Sequence, residues 1–104
     1  MGGNSGAAYC YKEAANSKNE QVASLYRQAA QACEAQAAAL REALTENNLE
    51  KKKLHEEIAE ALGVHSGAAF DYKKAAESRN ETNKALYLKD AEERKAKAEK
   101  LKAD

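Results

Sequence analysis

The sequence predicts an all-α fold, a bundle of four to five helices built from two related helix-turn-helix units. Three observations carry that expectation. The 104 residues include no proline, and glycine stands only at positions 2, 3, 6, 63 and 67, so no breaker interrupts 7–62 or 68–104. Alanine, the best helix former, supplies 24 residues, whereas Leu, Ile, Val and Phe together supply 13. Residues 5–26 also recur at 66–87 with a fixed offset of 61, and 13 of the 22 aligned positions are identical. A repeat of that length marks a duplicated supersecondary unit.

The first five residues read as a flexible leader, and 6–104 as a single helical domain: unit one over 6–46, a connector helix over 48–62, unit two over 66–104. In unit one Ala7, Ala8, Tyr11, Ala14 and Ala15 fall on one helical face, matched in unit two by Ala68, Ala69, Tyr72, Ala75 and Ala76. Each run meets Ser-x-Asn-Glu, at Ser17 to Glu20 and Ser78 to Glu81. A serine followed three residues on by glutamate has the form of a capping box, so a new helix is expected to start at Ser17 and at Ser78. One continuous helix is the rival reading. The eight polar residues from Glu77 to Lys84 argue against it, because more than two turns would present no apolar face.

Past the first break, Val22, Leu25, Tyr26, Ala29, Ala30, Cys33, Ala37, Leu40, Ala43 and Leu44 keep three- and four-residue steps and define the longest helix. Asn47 is expected to cap the connector, whose apolar side is Leu49, Leu54, Ile58, Ala61 and Leu62 and whose end is Gly63. Gly63 to Gly67 is the clearest turn. The last helix, from about residue 79, carries Leu86, Tyr87, Ala91, Ala98 and Leu101 on one side amid dense alternating charge.

The chemistry-bearing residue types are few and scattered. His55 begins a stretch like a zinc-protease helix, but Ala59 occupies the place of the second ligand. His55 therefore reads as a surface helix residue and His65 as a turn residue. Cys10 and Cys33 lack metal spacing, and a reversal at Ser17 would leave them offset by about 13 Å along the helices at 1.5 Å per residue. They are expected to be free thiols, Cys33 buried and Cys10 near the surface. Phosphate-loop and nucleophile-elbow motifs are missing, so the expected protein is not an enzyme and uses no cofactor or metal. Lysine plus arginine equals aspartate plus glutamate at 17 each, which gives no reason to expect nucleic acid as a partner. No apolar run is long enough for a membrane span, and a reducing, cytoplasmic setting is the expectation.

The aromatic residues point to a partner instead. Tyr9 aligns with Phe70 and Tyr26 with Tyr87. At helical spacing such residues fill a core, yet tyrosine is also enriched where partners are anchored, so Tyr9, Tyr26, Phe70 and Tyr87 are the candidate partner-binding residues. The spacing Val22, Tyr26, Ala29 resembles the second helix of microtubule-interacting-and-transport (MIT) domains and the hairpins of tetratricopeptide repeats, and the closing Lys97 to Lys102 is similar to the end of an MIT third helix. The resemblance implies a non-catalytic adaptor that binds a peptide or helix of a partner protein. The alternative is a self-associating coiled-coil or structural protein, a homo-oligomer formed through the long helix from about residue 18 to 44.

Overall fold

A computed structural model describes residues 2–63 and 67–103; side chains of 2–5 are outside the description. Five helices and no strand occur among the described residues: α1 (Gly2–Asn16), α2 (Glu20–Thr45), α3 (Leu49–Leu62), α4 (Ala68–Glu77) and α5 (Glu81–Ala103). The fold is an all-α bundle. Helix α1 takes in positions 2–5, which the sequence reading set apart as a leader. His65 lies outside the described residues.

The chain breaks where the serines stand, but the serines are not the caps. Asn19 Oδ1 accepts from the amides of Gln21 and Val22, and Asn80 Oδ1 from those of Thr82 and Asn83. Ser17 and Ser78 sit two residues earlier and accept from the Asn19 and Asn80 amides at 3.2 and 3.3 Å. Each serine thus shapes the extended entry, while the asparagine satisfies the first free amides of the helix. The connector is shifted likewise. Asn48, not Asn47, caps α3, because its extended backbone lets Oδ1 accept from Glu50 and Lys51.

Small residues dominate the interior. The large apolar side chains buried among the described residues are Leu25, Tyr26, Ile58, Leu62 and Tyr72; the rest of the buried apolar set is alanine and cysteine. Helices lined with alanine approach closely, so cohesion comes from close backbone packing as much as from large knobs. Helix α2 is the hub, packed against α1, α3 and α4, while α5 lies against α4 and α3. Four expected core leucines are exposed instead. Leu44 is 82% exposed, Leu49 80%, Leu86 61% and Leu40 43%; Leu44 and Leu49 stand at the ends of α2 and α3 beside the Asn47 turn, and Leu86 is on a different side of α5 from Ala91.

The two units differ in how much of the same face they bury. In α4, lying between α2 and α5, Ala68, Ala69, Tyr72, Ala75 and Ala76 are all buried. In α1 only Ala7 and Ala14 of the matching five are buried, and Ala8, Tyr11 and Ala15 are exposed. Helix α1 has α2 on one side and no counterpart of the second helix that flanks α4.

The α3–α4 junction is tight. Gly63 accepts from both the Gly67 and Phe70 amides. A Cβ on Gly67 would stand 2.1 Å from the Gly63 nitrogen and 2.7 Å from the Ala61 carbonyl oxygen, so only glycine allows the two backbones to come so near.

Candidate functional site

The outward face of α1 is built from residues whose spacing would serve a buried helix. Tyr11 lies on it and donates to Glu34 Oε1 at 2.6 Å, which raises its phenol pKa and fixes the ring against α2. Its equivalent Tyr72 is 1% exposed, lines one cavity with Gln28, Gln31, Ala32 and Ala35 of α2, Leu62 and Ala98, and donates to Glu92 at 3.1 Å. The same residue type is therefore fully buried in unit two and 40% exposed at the margin of the α1–α2 contact in unit one.

The sequence-predicted residues divide. Tyr9 is exposed at the edge of α1, and the Lys73 ammonium of α4 rests 4.9 Å from its ring centroid. Tyr26 lies buried close by; burial, then the charge of Glu77, pushes its phenol up to about 12. These two share one junction of α1, α2 and α4. Phe70 is half-buried on α4 with the Lys74 ammonium 5.6 Å above it, and Tyr87 is half-buried on α5 against the core.

Two side-chain groups escaped the sequence reading. Cys10 is buried, not near the surface, and it and Cys33 are close enough that each shifts the other's thiol pKa, Cys10 down and Cys33 up. A helix beginning at Ser17 would give the offset of about 13 Å; α2 begins at Glu20 instead, after a bend at Lys18 and an extended Asn19, and these three non-helical residues bring Cys33 back toward the level of Cys10. In unit two the aligned positions hold Asp71 and Arg94, whose Oδ2 and Nε lie 3.3 Å apart. The alignment of Cys10 with Asp71 and Cys33 with Arg94 was the available signal, since a polar residue on a small-residue face at matched spacing marks a facing pair.

Asp71 is 4% exposed, and its Oδ2 has no hydrogen-bond donor although Arg94 is near. The single Nε–H of Arg94 is directed at Asp90 Oδ2, 2.8 Å away. Asp71 is best satisfied by keeping its proton and sharing it with Asp90. Burial, then that shared bond, raises its pKa, while Asp90 is lowered as the accepting partner.

His55 is half-buried, its Nδ1 3.2 Å from Glu42 Oε2. Among the described residues no three His, Cys, Asp or Glu side chains converge so as to hold a metal ion, and no helix is long and apolar enough to cross a membrane. No family model, curated protein or solved structure matches the chain.

Proposed function

We propose that the chain is a non-catalytic interaction module that receives an alanine-rich helix of a partner protein on the outward face of α1. One observation carries the reading: Ala8, Tyr11 and Ala15 are exposed, whereas Ala69, Tyr72 and Ala76, their equivalents, are buried between helices. A partner helix presenting small residues, as α2 does with Ala32 and Ala35 beside Tyr72, would give α1 the second neighbour that α4 already has. Tyr9 anchors the edge of that surface, with Tyr26 beneath it. Phe70 and Tyr87 belong to the same aromatic set by sequence and extend the proposal to α4 and α5. The resemblance to MIT and tetratricopeptide hairpins agrees with an adaptor, and a cytoplasmic setting agrees with two free thiols.

Selecting helical peptides from a randomised alanine-rich library against the chain tests this. Binders should be recovered, and the exposed double substitution Ala8→Glu with Tyr11→Lys should weaken them at least tenfold while leaving helix content unchanged. Failure to recover binders, or binding indifferent to the double variant, overturns the reading. Leu44 and Leu49, both in solvent beside the Asn47 turn, favour self-association as the second reading. Light scattering decides it: a dimer that Leu44→Glu dissolves supports the homo-oligomer, and a monomer supports the adaptor.

A further inference from the structure

Cys10 and Cys33 face each other across the α1–α2 contact. Both are 2% exposed, and both are free. The adjacent residues Tyr11 and Glu34 are joined by a hydrogen bond of 2.6 Å across the same helix pair; because α2 runs back along α1, Cys10 and Cys33 differ in level from that pair's alignment by two residues, about 3 Å at 1.5 Å per residue, which side chains can span. The equivalent side chains in unit two, Asp71 and Arg94, also meet, at 3.3 Å. Where unit two places an acid and a guanidinium, unit one places two thiols.

We propose that Cys10 and Cys33 are a peroxide-sensitive dithiol that closes to a disulfide and locks α1 onto α2. The roles follow from the surroundings. The neighbouring Cys33 thiol lowers the Cys10 pKa, burial opposes that, and the Lys73 ammonium adds to the lowering, while Cys33 is raised by Cys10 and by burial. Cys10 is the attacking sulfur. Its thiolate attacks one oxygen of a hydroperoxide, the O–O bond breaks, and the leaving hydroxide takes up a proton as water, which leaves Cys10 as a sulfenic acid. Cys33 then loses its proton and attacks Cys10 Sγ; the S–S bond forms, the S–O bond breaks, and a second water departs. Two thiols lose two electrons and the peroxide gains them. Hydrogen peroxide is about the size of water, so local opening of the α1–α2 contact is enough to admit it.

The covalent link matters because α1 packs mainly against α2, with α4 reaching it where Lys73 lies over the Tyr9 ring. A disulfide between positions 10 and 33 closes a loop whose unfolded-state entropy it removes, and should raise the melting temperature by about 10 °C. Closing the disulfide requires no partner helix on the exposed side of α1.

The test treats the full chain with one to ten equivalents of hydrogen peroxide and reads intact mass, thiol count in denaturant and melting temperature. The expected product is a monomer lighter by two hydrogens, with no alkylatable thiol, a raised melting temperature, and recovery of all three values on reduction. In Cys33→Ala, Cys10 should stop at a sulfenic acid that dimedone traps; in Cys10→Ala, Cys33 should stay reduced. Alanine is chosen because the surrounding face already consists of it, and circular dichroism checks that both variants remain helical. Independent over-oxidation of the two cysteines, intermolecular dimers as the main product, or thiols that stay reduced in the folded chain would each overturn the proposal.

Discussion

Asn19 and Asn80 stand 61 positions apart and make the same two bonds, each Oδ1 accepting from the amides two and three residues ahead. The repeat is therefore kept at the level of individual hydrogen bonds where the helices begin. Asn19→Ala and Asn80→Ala should each cost about 0.5 to 2 kcal/mol, and Ser17→Ala less than either, because the serine bonds only the entry loop. Denaturant titration with a common slope measures all three. A larger loss at Ser17 than at Asn19 would show that the entry turn, not the cap, holds the break.

Leu25 is one of few large buried side chains, so its loss leaves a cavity that alanine neighbours cannot fill. Leu25→Ala should cost about 2 to 5 kcal/mol. Leu44→Ala, in the same helix but exposed, should change stability by less than about 0.5 kcal/mol. Equal effects at the two sites would mean that α2 is rotated from the described phase.

Gly67→Ala forces a methyl group into the Gly63 backbone. No flexible side-chain end is there to yield, so the junction between α3 and α4 must move. A loss of about 3 kcal/mol or more is expected by chemical denaturation. Retention of wild-type stability would mean that the turn has another conformation in solution.

Asp71 makes stability depend on pH in the direction opposite to an ordinary salt-bridged carboxylate. Its pKa rises to about 7 in the folded chain from an ordinary carboxylate value near 4. Between those values the folded state holds a proton that the unfolded chain has released, so stability is greatest near pH 4 to 5 and falls as pH rises toward 7. The contribution of Asp90, whose pKa is lowered, is lost only below pH 4. Unfolding free energies of the parent from pH 4.5 to 7.5 should decline, and Asp71→Asn, neutral throughout, should flatten that slope. A parent profile that climbs across this window would show that Asp71 is ionised and held by Arg94.

The fold was legible in the sequence because each signal was local: no breakers inside the runs, alanine at helical steps, asparagines and serines at the two joints. What escaped depends on distances across the chain. Asn19 lies two residues after the serine that has the form of a cap, and the three non-helical residues of the joint shift α2 along α1, which brings Cys33 back toward Cys10. Periodicity assigned Leu44 and Leu86 to apolar stripes, yet it contains no information on whether a neighbouring helix reaches that far. Of the aromatic set, the sequence paired Tyr9 with Phe70 and Tyr26 with Tyr87 by alignment; the spatial pairing of Tyr9 with Tyr26 needed the third helix.

The packing of α1 mainly against α2 also sets how the molecule breathes. Amides in α2 and α4 are enclosed by several neighbours and can exchange with solvent only when the bundle comes apart, whereas those of α1 are released by undocking a single contact. Hydrogen exchange would therefore divide the two copies of one sequence motif into a slow class and a fast class. Joining Cys10 to Cys33 would move the first helix from the fast class to the slow one, making two independently opening segments into one cooperative unit.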